Sequence, residues 1–207
     1  MKDIKNIIFD FGGVIIDLHM NRTFDAFSNL SGIPAEKIIS SYLKQQFLYD
    51  YEMGLISDEE FRMEMAKYLS IPFEADKIDA AWNEMLGVIP AVRINKIKEL
   101  AGKYNVFLLS NTNAIHERAF TKILKDSTGV NTLDDLFQTA YYSHRLNLRK
   151  PNADIFELVI EKSNLVPHET VFLDDTLENV NAAISVGMKS IQILSPNQWL
   201  TYWNEEE

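Results

Sequence analysis

Five short apolar runs, unbroken rather than alternating, recur along this chain: Asn6–Phe9, Asn105–Leu109, Gln138–Tyr142, Thr170–Leu173 and Lys189–Leu194. A strand that is apolar on both faces has to be covered on both, which is the situation of a parallel sheet held between two layers of helix. Stretches of helical periodicity separate the runs. The repeat therefore reads strand–helix–strand and predicts an α/β protein, a three-layer α/β/α core around an open parallel sheet. The helix between the last two strands is well marked: Thr176 can cap it, Leu177, Val180, Ala183 and Ile184 give its apolar face, and Gly187 ends it.

Between the first strand and the second the pattern changes. From Asp17 to Pro90 no alternation appears and helical signals accumulate. Pro34 suits the start of a helix, Ser57-Asp58-Glu59-Glu60 matches a capping box, and Phe61, Met65 and Leu69 recur at i, i+4. Leu86-Gly87-Val88-Ile89-Pro90 punctuates the return, and Val92–Leu100 reads as a helix of the core. The expected organisation is a core of residues 1–16 and 91–207 with an inserted helical cap of residues 17–90. A cap placed there lies over the carboxyl ends of the strands, where open α/β sheets bind ligands. Met53, Met63, Met65, Met85, Trp82 and Phe61 are expected to form the cap's own core, some of them lining a substrate pocket.

Composition excludes several functions. A net charge of −10, with 20 Lys and Arg dispersed along 207 residues, repels a phosphate backbone, so no nucleic-acid partner is expected. The N-terminal apolar run is too short for a signal peptide's core and no run spans a membrane, so a cytoplasmic location and no membrane partner are expected. Zero cysteines exclude disulfides, thiolate metal sites and a cysteine nucleophile. The four histidines have no metal-ligand spacing, and His19, His116 and His144 are given no role. Glu205-Glu206-Glu207 reads as a solvated, frayed end.

Each of four segments delivers polar residues where a strand ends or a helix begins. Asp10 follows Ile7-Ile8-Phe9 and precedes Gly12-Gly13, which permit a tight turn and close approach of a ligand. Ser110-Asn111-Thr112 ends the second strand, Arg149-Lys150-Pro151 precedes a helix, and Asp174-Asp175 ends the fourth strand. Magnesium takes oxygen ligands, commonly one or two carboxylates with waters and a substrate phosphate, and Asp10 and Asp175 can be those carboxylates. With the metal and Lys150 neutralising phosphate charge, and Ser110 with nearby main-chain N–H groups holding its oxygens, Asp10 can attack phosphorus in line. Asn179, in the first turn of its helix, either orients this site or caps the helix.

These four segments, in this order, resemble the signature motifs of the haloacid-dehalogenase-like superfamily, and the likeness covers nearly the whole chain. Leu109-Ser110-Asn111-Thr112-Asn113, Arg149-Lys150-Pro151 and Leu173-Asp174-Asp175 are similar to a branch of phosphatases acting on sugar phosphates. The resemblance implies a Rossmann-like core and Mg2+ as cofactor. It also implies Asp10 as nucleophile and metal ligand, Ser110 and Asn111 as phosphate binders, Lys150 as bridge between phosphate and nucleophile, and Asp174 with Asp175 at the metal.

One position departs from the pattern. Where such phosphatases carry a second aspartate as general acid, this chain has Gly12. Its carbonyl can still ligate the metal, but acid catalysis, worth about 10²–10⁴-fold, is lost. Two repairs are open: a good leaving group, such as a phosphate on an anomeric carbon, or another donor such as Asp17, His19 or water. The expected function is a magnesium-dependent phosphatase acting on a small phosphorylated metabolite, as a monomer or weak homodimer. A metal-free dehalogenase and a non-catalytic phosphate-binding regulator are the alternatives from other classes.

Overall fold

The computed structural model describes residues 3–203; the Glu205–Glu207 end expected to be frayed lies outside them. Five strands form one parallel sheet: β1 (Asn6–Phe9), β2 (Asn105–Ser110), β3 (Thr139–Tyr142), β4 (Thr170–Asp174) and β5 (Lys189–Gln192), in the order β3-β2-β1-β4-β5. β1 and β2 are direct neighbours in the sheet, and the chain connecting them is helical: α1 (Met20–Ser31), α2 (Ala35–Tyr42), α3 (Gln46–Glu52), α4 (Asp58–Leu69) and α5 (Ala75–Asn83). The remaining helices are α6 (Ala91–Ala101), α7 (Ala114–Thr128), α8 (Ser143–Leu146), α9 (Ala153–Lys162) and α10 (Leu177–Ser185).

Alternation along the buried strands sorts their side chains onto the two faces. Ile7, Phe9, Val106, Leu108, Val171 and Leu173 pack on one side with Ile94, Ile97 and Leu100 of α6 and Phe120 and Leu124 of α7. Ile8, Phe107, Leu109 and Phe172 pack on the other with Ile155, Phe156 and Val159 of α9 and Ala183 of α10. The expected three-layer α/β core is thus present, and each of the five expected strands is found within two residues of its predicted bounds.

Two details differ from expectation. In α10, Leu177 and Ile184 are about half exposed, at 50% and 52%, because only the stripe through Val180 and Ala183 meets the sheet. Thr176 sits at the N-cap but its side chain does not cap the helix. Its N–H donates instead to Asp174 Oδ1 at 2.8 Å and its hydroxyl to Asp175 Oδ1 at 3.2 Å.

Helices α1–α5 gather around a separate apolar cluster that includes Phe24, Phe27, Leu48, Phe61, Met65 and Trp82. The predicted capping box forms at the start of α4, with Ser57 and Glu60 exchanging bonds. Met63 is 55% exposed and is no part of that cluster, a correction to the expected core, because it faces away from the buried Phe61–Met65–Leu69 stripe. Two linkers join this insertion to the sheet and pair with each other: Asp17 N–H donates to Val88 O at 3.0 Å, Gly87 N–H to Asp17 O at 2.8 Å and His19 N–H to Met85 O at 2.8 Å. No described helix is long and apolar enough to cross a membrane.

Buried Thr23 holds the returning linker. Its Oγ1 lies 3.0 Å from Ala81 O and 3.1 Å from Trp82 O, and accepts from Met85 N–H at 3.0 Å. Thr23→Val keeps the shape and strands a buried N–H, so denaturant unfolding should show a loss of about 1–3 kcal/mol.

Candidate active site

The register of the sheet assembles the site before any side chain is considered. Phe9 lies beside Leu108 of β2 and Leu173 of β4, so the next residue on each strand, Asp10, Leu109 and Asp174, reaches the same level. Asp10 N–H still donates to Leu173 O at 2.8 Å, which fixes its carboxylate at the sheet's carboxyl edge. Lys150 enters from the loop before α9. Its Nζ donates to Asp10 Oδ1 at 2.6 Å, Asp174 Oδ2 at 2.7 Å and Leu109 O at 2.9 Å, which uses all three protons of the ammonium.

Asn111 sets the position of that lysine. Its Nδ2 donates to Lys150 O and its Oδ1 accepts from Lys150 N–H, both at 2.9 Å. The carboxamide expected to bind phosphate is therefore engaged at both ends by the lysine's own backbone. Ser110 is buried at the end of β2, and its Oγ makes only a long contact of 3.4 Å with Asn111 O. Asn179 proves to be an orienting residue rather than a cap: its Nδ2 donates to the two Asp174 oxygens at 3.0 and 3.1 Å.

Asp175 completes an acidic trio. Carboxylate oxygens of Asp10, Asp174 and Asp175 all lie within 4.8 Å of one another. The loop after β1 reaches this trio because Gly13 has a φ of +70°, and a methyl group there would collide with Asp175 Oδ2. Burial pushes the Asp10 carboxyl up to about 7, with Asp174 and Asp175 acting the same way and Lys150 opposing them. Burial and neighbouring Asp174 also raise Asp175. Burial works against the Lys150 ammonium, yet Asp10 and Asp174 outweigh it and hold the group charged. An all-oxygen donor set with surplus negative charge fits a small hard dication and lacks the nitrogen and sulfur ligands that favour zinc and copper.

A cavity of about 170 Å³ opens between the trio's edge of the sheet and the helical insertion. Gly12, Ser110 and Asn111 line its floor; Tyr42, Glu52 and Trp82 line its roof. Among the described residues neither Asp17 nor His19 lines it. Asp17 is paired at 2.7 Å with the buried guanidinium of Arg93, which also donates to Ile15 O at 3.0 Å, and the His19 ring rests against Gly87. Both belong to the linkers, and the expectation that one of them replaces the missing acid has no support in their placement. His144 is paired with Glu117 at 3.0 Å, away from the cavity.

Sequence reasoning missed Glu52 and His116 as groups near the site, and gave Arg149, beside Lys150, no role. Glu52 Oε2 accepts from Arg149 Nε at 3.0 Å, next to Lys150 in the chain. His116 follows Asn113, the N-cap of α7, by three residues, a spacing that puts it in the first turn facing the strand ends; that was the signal available.

A parallel α/β sheet with a helical insertion after its first strand, and with a carboxylate trio and a buried lysine at its carboxyl edge, defines a class of aspartate-based hydrolases. The chain belongs to the haloacid dehalogenase-like hydrolase family, whose sequence profile matches residues 4–187. It is 29% identical over 196 residues to a D-ribitol-5-phosphate phosphatase of Bacteroides thetaiotaomicron, covering 95% of each chain. It is 28% identical over 192 residues to a sesquiterpene phosphatase of Aspergillus oryzae, covering 91% of this chain and 89% of that one. A wild-type haloacid-dehalogenase-family enzyme of B. thetaiotaomicron, solved with magnesium and inorganic phosphate, superposes with a TM-score of 0.87 at 30% identity, covering 97% of this chain and 100% of that one.

The raised Asp10 carboxyl has a measurable consequence. The folded chain keeps its proton up to about pH 7, whereas an unfolded aspartate loses it near 4, so metal-free stability should fall as pH rises between these values. Asp10→Asn has no such proton to lose. Scanning calorimetry in metal-free buffer from pH 4 to 8 should show the fall in melting temperature reduced in this variant, on top of the pH-independent cost of removing one partner of buried Lys150.

Proposed function

We propose that this chain is a magnesium-dependent phosphatase that hydrolyses a small sugar or polyol phosphate through an aspartyl-phosphate on Asp10. The observation that carries this reading is the Lys150 ammonium bridging Asp10 and Asp174 at 2.6 and 2.7 Å beside a third carboxylate. Its support from relatives is the ribitol-phosphate phosphatase and the magnesium–phosphate complex described above.

Asp10, Asp174 and Asp175, with the Gly12 carbonyl, would hold the magnesium ion, which supplies positive charge against the phosphate oxygens. Asp10 attacks phosphorus, the ester P–O bond breaks, and its electron pair leaves with the alkoxide, which takes up a proton. Water then attacks the same phosphorus, the bond to Asp10 breaks, and inorganic phosphate departs with the carboxylate restored. Lys150 neutralises the charge gathering on the phosphoryl oxygens and keeps Asp10 aligned, Asn111 and Asn179 hold Lys150 and Asp174 in place, and Ser110 offers a hydroxyl to the phosphate. Residues 17–90 act as a cap that closes the cavity over the leaving group.

D-ribitol 5-phosphate is the ester of a primary alcohol, so its hydrolysis by this chain would proceed without the anomeric leaving group offered as one repair for Gly12. Metal-free dehalogenation has no use for the trio. A regulatory role does not call for retaining both the nucleophile and the lysine. A monomer or weak homodimer in the cytoplasm, with a small substrate and no nucleic acid, accords with the net charge of −10.

Phosphate release from D-ribitol 5-phosphate and p-nitrophenyl phosphate should require Mg2+ and stop on adding EDTA. Asp10→Asn should lower kcat at least about 10³-fold, as loss of a nucleophile does. Metal-independent halide release from 2-haloacids, with no phosphate released from either ester, would sink this reading in favour of the dehalogenase.

A further inference from the structure

Two hydrogen-bond acceptors border the cavity with no donor to them among the described residues. His116 is buried with its ring stacked on Trp82, the centroids 4.8 Å apart and the planes 10° from parallel. Its Nδ1 lies 2.8 Å from Asn83 Oδ1 and donates to that oxygen, which leaves Nε2 with its lone pair. Burial lowers the imidazole to about 3, so the ring is neutral throughout the working range. Among the described residues no donor partners Nε2.

Glu52 stands on the insertion's side of the same cavity. Arg149 holds its Oε2 through Nε and Nη2, both at 3.0 Å, while no described residue donates to Oε1. The side chain keeps 32% of its surface accessible although protein surrounds it. Neither His116 nor Glu52 has a part in the phosphoryl-transfer steps.

A cavity wall that presents unfilled acceptors selects what enters. A hydrocarbon tail would strand them without partners, which is costly in a site closed to water. A carboxylate would face the Glu52 charge. A hydroxyl-bearing chain supplies the missing donors, and 170 Å³ holds about six water-sized groups at roughly 30 Å³ each, the scale of a short polyol.

We propose that His116 Nε2 and Glu52 Oε1 accept hydrogen bonds from substrate hydroxyls and make the site selective for short neutral polyol phosphates over hydrocarbon and carboxylate-bearing phosphates. The inference rests on the phosphatase reading above and deepens it by naming the residues that recognise the leaving group. Sites built to bind a substrate hydroxyl reject analogues lacking it more strongly than apolar pockets reject an added one.

The test compares kcat/KM for paired esters in wild-type protein, His116→Phe and Glu52→Gln. His116→Phe keeps an aromatic ring against Trp82 and removes the acceptor. The preference for D-ribitol 5-phosphate over n-pentyl phosphate should fall about tenfold, the loss of one such bond. Glu52→Gln retains the size and an oxygen for Arg149, and remains informative if the first variant fails to fold. It should raise the ratio of 2-phosphoglycolate to ethylene glycol phosphate turnover severalfold, a gain that structural damage does not produce.

Equal losses on both members of each pair, leaving the ratios unchanged, would overturn hydroxyl recognition while the phosphatase reading stands. A wild-type preference for n-pentyl phosphate would do the same. Wild-type protein that releases phosphate from none of the four esters with Mg2+ present overturns the phosphatase reading and this inference together.

Discussion

Everything at the carboxyl edge of the sheet is organised by one buried ammonium group. Lys150 is 1% exposed, and it would not remain charged there without the carboxylates of Asp10 and Asp174 against it. A buried charge has to be paired and fully hydrogen-bonded, and Lys150 spends its third proton on Leu109 O. The pairing is not balanced, however. Three clustered carboxylates face one ammonium, leaving two negative charges when all are ionised, and the raised Asp10 and Asp175 carboxyls are the sign of that surplus. A divalent cation closes the balance, so the same charge arithmetic that holds the site together also creates its demand for a metal.

Around this centre the chain separates precision from adaptability. Asp10, Asp174 and the lysine are held by strand register and by the side chains of Asn111 and Asn179, while Asp175 stands exposed just past the end of β4. The roof of the cavity is held differently. Where the insertion meets α7 and α8, Tyr51 Oη accepts from Ile115 N–H at 3.2 Å, Ser143 Oγ donates to Glu52 O at 2.6 Å and Asn147 Nδ2 to Met53 O at 2.8 Å. The first is buried and the other two lie nearer the surface, while the insertion's apolar cluster reaches across the seam to Ile115 of α7. The floor carries chemistry and the roof carries selection, and the two are built from interactions of different strength.

This division also explains what could be read from the sequence. The strands were legible because burial on both faces leaves unbroken apolar runs, and the carboxylates because they stand where those runs stop. The capping box of α4 was legible because both partners lie within one turn. By contrast, Glu52 reaches Arg149 across 97 positions, and nothing local marks a glutamate at the end of a helix as part of a cavity. His116 has an informative spacing from Asn113, yet its neutrality comes from burial, which belongs to the packed structure. Asn111 was found by its place after β2, but the use of its carboxamide on the Lys150 backbone depends on how two distant loops meet. At α10 the apolar pattern was wider than the buried stripe, because the amount of a helix that an edge of a sheet covers is not written in the helix itself.

Gly12 then acquires a physical context. A Cβ at that position would lie 2.7 Å from Leu18 Cδ1, the far end of an exposed side chain on the linker, so a larger residue there needs only that leucine to turn aside. None of the groups close by is suited to replace it as an acid. Asp17 is tied to Arg93, Lys150 has committed its three protons, and His116, pushed down to about 3, has no proton on Nε2 to give. Burial raises the Glu52 carboxyl despite Arg149 on its Oε2, and the group stands on the insertion's side of the cavity rather than beside Asp10. His116 and Glu52 give the cavity acceptors for hydroxyl donors, beside the hydroxyls of Tyr42 and Ser110.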